Sequence, residues 1–125
     1  MQQTMFTVLI ADDSLSARNL LEAILKPEGF RFLFAETGEK TLEIALREKP
    51  DLLLLDVILP DLSGFEVCRK IRENPYLAPM PILMITGLKD RDSRIEGYSA
   101  GADAFISKPL DPLEVLARVR SIQRQ

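Results

Sequence analysis

Three stretches of this chain are apolar at nearly every position over the length of a strand: FTVLIA at 6–11, DLLLLD at 51–56 and PILMIT at 81–86. A strand with one face in water alternates apolar and polar residues. A run without alternation is buried on both faces. Burial on both faces needs a covering layer on each side, and the segments between the runs supply them. SLSARNLLEAILK (14–26) gathers Ala17, Leu20, Leu21 and Ile24 on one helical face and is closed by Pro27 and Gly29. GEKTLEIALREK (38–49) does the same with Leu42, Ala45 and Leu46. SGFEVCRKIREN (63–74) opens on Ser63 with Glu66 three residues on, a capping-box pattern. DRDSRIEGYSAGA (90–102) is a weaker, glycine-interrupted helix. DPLEVLARVRSIQ (111–123) starts with Asp111 as N-cap and Pro112 at the first helical position. FRFLFAE (30–36) and DAFIS (103–107) complete a strand–helix alternation repeated five times. The expected architecture is α/β, a doubly wound parallel five-stranded sheet covered on both faces.

With 125 residues the chain has one domain's worth of sequence, expected over 4–123, and needs no staples to bury a core. Its net charge of −3 and pI of about 5.0 point away from direct nucleic-acid binding. The single cysteine, Cys68, excludes an intrachain disulfide and fits a reducing, cytoplasmic setting. The start resembles no signal peptide, and no apolar run approaches the length of a membrane span. Histidine is absent, which removes the commonest general base and metal ligand. Chemistry must run on carboxylates, hydroxyls and lysine, and a metal site must be rich in oxygen.

In an open parallel sheet, ligands bind at the carboxyl ends of the strands. The first strand ends in Asp12 and Asp13, the third in Asp56, the fourth in Thr86 and Gly87, and the fifth runs into Lys108 and Pro109. The second ends at Glu36 and Thr37 and reads as an edge. Singly, each has an ordinary reading: Asp12, Asp13 and Ser14 as helix caps, Asp56 as a turn residue before Pro60, Thr86 and Lys108 as strand-end and surface residues. Their convergence on one rim sets them apart. Three close carboxylates repel one another by about 4 kcal/mol per pair at 4 Å and an effective dielectric of 20, so the cluster calls for a cation such as Mg²⁺. A lysine and a hydroxyl beside such an ion are what a phosphoryl group needs around it.

The stretches VLIADDS, PDLLLLDVILPDLSGFEVCRKIR, PILMITG and GADAFISKPLDPLEVLARV span nearly the whole chain. In this order and spacing they resemble the response-regulator receiver domains of bacterial two-component signalling. The resemblance implies a flavodoxin-like sheet of strand order 2-1-3-4-5. It implies that Asp56 is the phosphoacceptor and that Asp12, Asp13, Asp56 and the backbone carbonyl of Ile58 hold Mg²⁺ or Mn²⁺. Thr86 and Lys108 would contact the phosphoryl group, with Gly87, Val57 and Ile58 around it. Lys108–Pro109 would be a cis bond. Phe105 takes an aromatic switch position that is often tyrosine. Gly87 stands where alanine is commoner, and Leu59 where methionine is frequent. Ile58 and Leu88 would flank the path of attacking water and slow hydrolysis of the acyl phosphate.

The implied function is a phosphoryl-accepting switch that catalyses only its own phosphorylation and dephosphorylation. Its partner would be a sensor histidine kinase or histidine phosphotransfer protein, docking near Leu15, Ser16, Asn19 and the Pro109 loop. Output would pass through the fourth helix, fifth strand and fifth helix, to an output domain, a partner protein or a second copy. Arg118, Arg120 and Arg124 on the last helix would face solvent or pair with an acidic partner or a second copy. Two other readings stay open. A metal-dependent aspartyl hydrolase would turn over a phosphate ester on Asp56, although DVI at 56–58 carries no second acid at Ile58. A receiver-like interaction module would bind partners without phosphorylation.

Overall fold

Every residue of the strands Thr7–Ala11 (β1), Leu52–Asp56 (β3) and Ile82–Thr86 (β4) is buried. That is the environment their unbroken apolar composition demands. The computed structural model describes residues 5–87 and 91–125. The remaining elements are α1 (Leu15–Leu25), a 3₁₀ turn (Lys26–Glu28), β2 (Arg31–Ala35), α2 (Gly38–Glu48), α3 (Gly64–Glu73), α4 (Arg91–Ala100), β5 (Ala104–Ser107) and α5 (Pro112–Gln123). The expected start of the fourth helix at residue 90 lies outside the described residues. All strand pairs are parallel, in the order β2-β1-β3-β4-β5. No helix among the described residues is long and apolar enough to cross a membrane.

The pleat of β3 divides its leucines between two layers. Leu53 and Leu55 join Ile44, Ala45, Val67, Cys68, Ile71 and Ala100 from α2, α3 and α4. Leu52 and Leu54 join Leu21, Leu25, Val115 and Val119 from α1 and α5. Each of these four leucines is at most 1% exposed. Burying such a side chain contributes about 1.5–3 kcal/mol, so β3 is held from both sides.

Three local expectations are corrected. Leu20 and Leu46, assigned to buried helical faces, are both 47% exposed. The buried stripe of α1 runs through Leu21 and Leu25. In α2 it runs through Thr41, Ile44 and Ala45, because the Thr41 hydroxyl donates to the Thr37 carbonyl at 2.6 Å and so loses its polarity locally. The capping box at α3 is half formed. Ser63 Oγ accepts from the Glu66 N–H at 3.2 Å, but the Glu66 carboxylate turns to Arg69 at 2.9 Å.

Candidate functional site

Parallel register brings four strand ends to one level: Ala11 is paired with Leu55, Asp56 with Ile85, and Thr86 with Ser107. The residues that end or follow these strands therefore meet. Asp12 is 2% and Asp56 7% exposed, whereas Asp13 is exposed. One carboxylate oxygen from each of the three lies within 4.8 Å of the others. Lys108 reaches across from the end of β5, its ammonium 3.1 Å from Asp56 Oδ2 and 3.3 Å from Asp12 Oδ2.

Further bonds hold these side chains. Asp12 donates its N–H to the Ala35 carbonyl at 3.0 Å, and its Oδ1 accepts from the Ser14 N–H at 2.9 Å. The Arg18 guanidinium, one helical turn along, donates to the Asp12 carbonyl at 2.8 Å. Asp56 Oδ1 accepts from the Ile58 N–H at 3.2 Å. Ser14 also caps α1, its hydroxyl accepting from the Ala17 N–H at 3.3 Å. Gly64 marks a close approach. A Cβ there would run into the Asp56 carbonyl oxygen, and its N–H donates to the Val57 carbonyl at 2.7 Å. The first turn of α3 thus rests directly on the backbone behind Asp56.

Three carboxylates face one ammonium, leaving an excess of negative charge. Burial pushes the Asp56 carboxyl above the ordinary carboxylate range and the Asp12 charge pushes further, against the Ile58 N–H and Lys108. Partial burial works against the Lys108 charge, but its hydrogen bond to Asp56 and the charges of Asp56 and Asp12 outweigh this and raise its pKa. The donor set is oxygen alone, carries surplus negative charge and includes one exposed carboxylate. It fits a hard divalent cation and could hold a metal ion.

The other expected residues surround this cluster. Thr86 is buried, and its carbonyl accepts the Lys108 N–H at 2.8 Å. A Cβ at Gly87 would meet nothing within 4 Å, so alanine would fit there as well. Val57 is buried and Ile58 is 64% exposed beside Asp56. Leu88 lies outside the described residues. Leu59 is buried in the α2–α3–α4 layer. The Lys108–Pro109 bond is cis. Phe105 is half-buried against α4, its ring meeting Tyr98 edge-on at 4.8 Å between centroids. Leu15, Ser16, Asn19 and Pro109 are exposed near the rim. Arg118 and Arg124 are exposed, but Arg120 is engaged within the chain, its guanidinium donating to both Glu28 oxygens at 2.8 and 3.0 Å. Sequence reasoning passed over Arg18 and Gly64. Arginine four residues into a helix gives no sign that it will reach back to a strand end, and a glycine at a helix start gives no sign of which backbone it will rest on.

A five-stranded parallel sheet of this order, with paired acids, an aspartate and a lysine at its carboxyl rim, defines a flavodoxin-like α/β protein with an acidic site at the strand ends. The response regulator receiver domain profile matches residues 8–120. The chain is 41% identical over 117 residues to response regulator PleD of Caulobacter vibrioides, covering 94% of this chain and 26% of that protein. It is 41% identical over 118 residues to the alkaline phosphatase synthesis transcriptional regulatory protein PhoP of Bacillus subtilis, covering 94% and 48%. The structure of Vibrio cholerae chemotaxis protein CheY4 superposes with a TM-score of 0.89 at 29% identity, over 95% of this chain and 99% of that one. The chain belongs to the response regulator receiver domain family. It spans between a quarter and a half of the length of these two sequence relatives.

Proposed function

We propose that residues 4–123 form a single receiver domain that acts as a phosphoryl-accepting switch, with Asp56 as acceptor. One observation carries the reading: a buried aspartate at the end of the central strand, 3.1 Å from an ammonium and within 4.8 Å of two further carboxylates, in a chain of this family.

An Asp56 oxygen attacks phosphorus in line. The bond from phosphorus to the donor's leaving atom breaks, and its electron pair stays on that atom, an imidazole nitrogen where the donor is a phosphohistidine. The chain has no histidine, so the donor is a sensor histidine kinase, a histidine phosphotransfer protein or a small phosphodonor. Asp12, Asp13, Asp56 and the Ile58 carbonyl would hold Mg²⁺ or Mn²⁺, which supplies neutralisation of phosphoryl charge. Lys108 exchanges its contact with Asp56 for one with a phosphoryl oxygen. Thr86 turns its hydroxyl to the same group, with Gly87, Val57 and Ile58 lining it. Phe105 carries the change to the surface of α4, β5 and α5, which meets an output domain, a partner protein or a second copy. The domain catalyses nothing beyond its own phosphorylation and dephosphorylation. It works in the cytoplasm, where such kinases present phosphohistidine.

Incubation with ³²P-acetyl phosphate and Mg²⁺ tests this. Stable label on the wild type, lost in Asp56→Asn, is the expected result. Rapid release of phosphate without accumulated label would favour the hydrolase. No label and no turnover would favour the interaction module.

A further inference from the structure

The connection from β3 to α3 lies on the surface. Ile58, Pro60, Asp61 and Ser63 are all exposed. These outward residues have little packing to hold them, yet the first two residues of the connection carry the backbone that surrounds Asp56. What fixes it is a bond to a different helix. The first N–H groups of any helix lack intrahelical acceptors. In α2, Thr37 Oγ1 takes the Lys40 N–H at 3.0 Å, an ordinary N-cap. The Gly38 and Glu39 N–H groups go instead to Asp61, on Oδ1 at 2.7 Å and Oδ2 at 2.9 Å. Both are short, as charge-assisted bonds are, and the positive end of the helix favours the anion. Beside them Leu62 packs on Gly38 so closely that a Cβ at 38 would lie 2.8 Å from the Leu62 Cβ. Two further anchors act from inside, Leu59 buried in the core and the Gly64 N–H on the Val57 carbonyl. Asp61 is therefore the outer fastening of a loop whose other end is Asp56.

We infer that Asp61 is a positioning residue: by fastening the β3–α3 connection to the N-terminus of α2, it sets the backbone at Val57 and Ile58 around the Asp56 carboxylate and thereby the divalent-cation affinity of the acidic site. The inference rests on the proposed function, since it concerns the same site.

The control is already in the fold. Thr37 caps the same helix, and its hydrogen bonds go to Lys40 and Thr41 of that helix, so Thr37→Ala removes a comparable cap and leaves the Asp61 bonds in place. Two readouts are taken on Asp61→Ala, Asp61→Asn and Thr37→Ala: the Mg²⁺ concentration for half-maximal labelling by acetyl phosphate, and Mg²⁺ affinity from amide chemical shifts. In Asp61→Ala the affinity falls by about 10-fold, the low end of what loss of a supporting group costs a metal site. Asp61→Asn falls between, because its amide oxygen replaces one of two acceptors. Thr37→Ala loses thermal stability but keeps wild-type Mg²⁺ dependence. A wild-type Mg²⁺ dependence in both Asp61 variants overturns the inference, and so does an equal shift in Thr37→Ala, which would reduce Asp61 to a helix cap. If Asp61→Ala does not fold, Asp61→Asn carries the comparison. Wild-type protein that binds Mg²⁺ but takes no label overturns the proposed function, while the chemical shifts still decide the role of Asp61. Wild-type protein that does not bind Mg²⁺ overturns both.

Discussion

Gly97 of α4 lies so close to the ring of Phe105 that a methyl group at position 97 would overlap it. The nearest ring atom would be in the same space, and two others within 2.8 and 3.1 Å. The ring of the expected switch residue is seated in a notch made by a missing side chain. In an exposed helix interior, Gly→Ala gains about 1 kcal/mol. Overpacking a filled site costs about 1–3 kcal/mol. Here the overlap wins, and Gly97→Ala lowers stability by about 1 kcal/mol in urea unfolding. In a Phe105→Ala background the notch is empty, and the same substitution becomes stabilising. A gain from Gly97→Ala in the otherwise wild-type chain would show that the ring moves aside freely.

The charge of Asp56 works against the fold. Its carboxyl is raised chiefly by burial, then by Asp12. A carboxyl whose folded pKa lies above its unfolded value subtracts stability at all pH values above the folded one, and the loss is relieved as pH falls through it. Without divalent cation at pH 7, Asp56→Asn therefore raises the melting temperature. The gain shrinks as pH falls through the raised pKa. Lys108→Met acts in the opposite direction, since it leaves Asp12 and Asp56 facing each other with no cation between. Calorimetric melting of both variants across pH decides it, and equal melting of Asp56→Asn and wild type at pH 7 would refute it.

Much of this could be read from residue order alone, for a physical reason. The leucines of β3 have no polar alternation because both faces are covered, and that pattern by itself marks a central strand. Parallel strands then put every carboxyl end on one side, so Asp12, Asp56, Thr86 and Lys108 had to share a rim. The illegible contacts are those in which a polar side chain chooses among several partners. Glu66 stood where a capping box needs it and took Arg69 instead. Asp61 drew no reading from the sequence and caps a helix 22 and 23 positions earlier. Thr41 counted as polar and is fully buried. Spacing constrains neighbours along one element. It carries no information about which distant backbone group a side chain will meet.

Asp13 is the exposed member of the acidic cluster, so losing its charge strands no buried partner. Asp13→Asn keeps the stability of the cation-free wild type. The two separate when Mg²⁺ is added. An ion at a hundred times its Kd stabilises the wild type by about 2.7 kcal/mol, and each tenfold loss of affinity removes about 1.4 kcal/mol of that. Asp13→Asn loses most of the gain, and EDTA returns the wild type to its cation-free melting point. Equal Mg²⁺ stabilisation of both proteins would remove Asp13 from the ligand set.

Arg72 of α3 is the hub of the opposite end of the molecule. Its guanidinium donates to the carbonyls of Gly101 at 2.9 Å, Ala78 at 2.8 Å and Met80 at 2.6 Å, and to Asp103 Oδ2 at 2.9 Å. The same Asp103 oxygen accepts the Ile82 N–H at 2.8 Å. One side chain thus ties α3 to the end of α4 and to the starts of β4 and β5. Gly101 admits it by having no side chain, since a Cβ there would lie 2.6 Å from Arg72 Cγ, and its φ of +111° suits glycine as well. Removing the guanidinium leaves three carbonyls without that donor, at about 1–3 kcal/mol for each that water cannot reach. Arg72→Ala lowers stability by about 3 kcal/mol on that basis, read as a fall in the urea midpoint with the slope unchanged. Arg72→Lys recovers little, because an ammonium lacks the planar fork that spans four acceptors. Asp103→Ala costs less than Arg72→Ala, since Arg72 keeps its three carbonyls. Wild-type stability in Arg72→Lys would show that charge alone, and not the fork, holds these elements together.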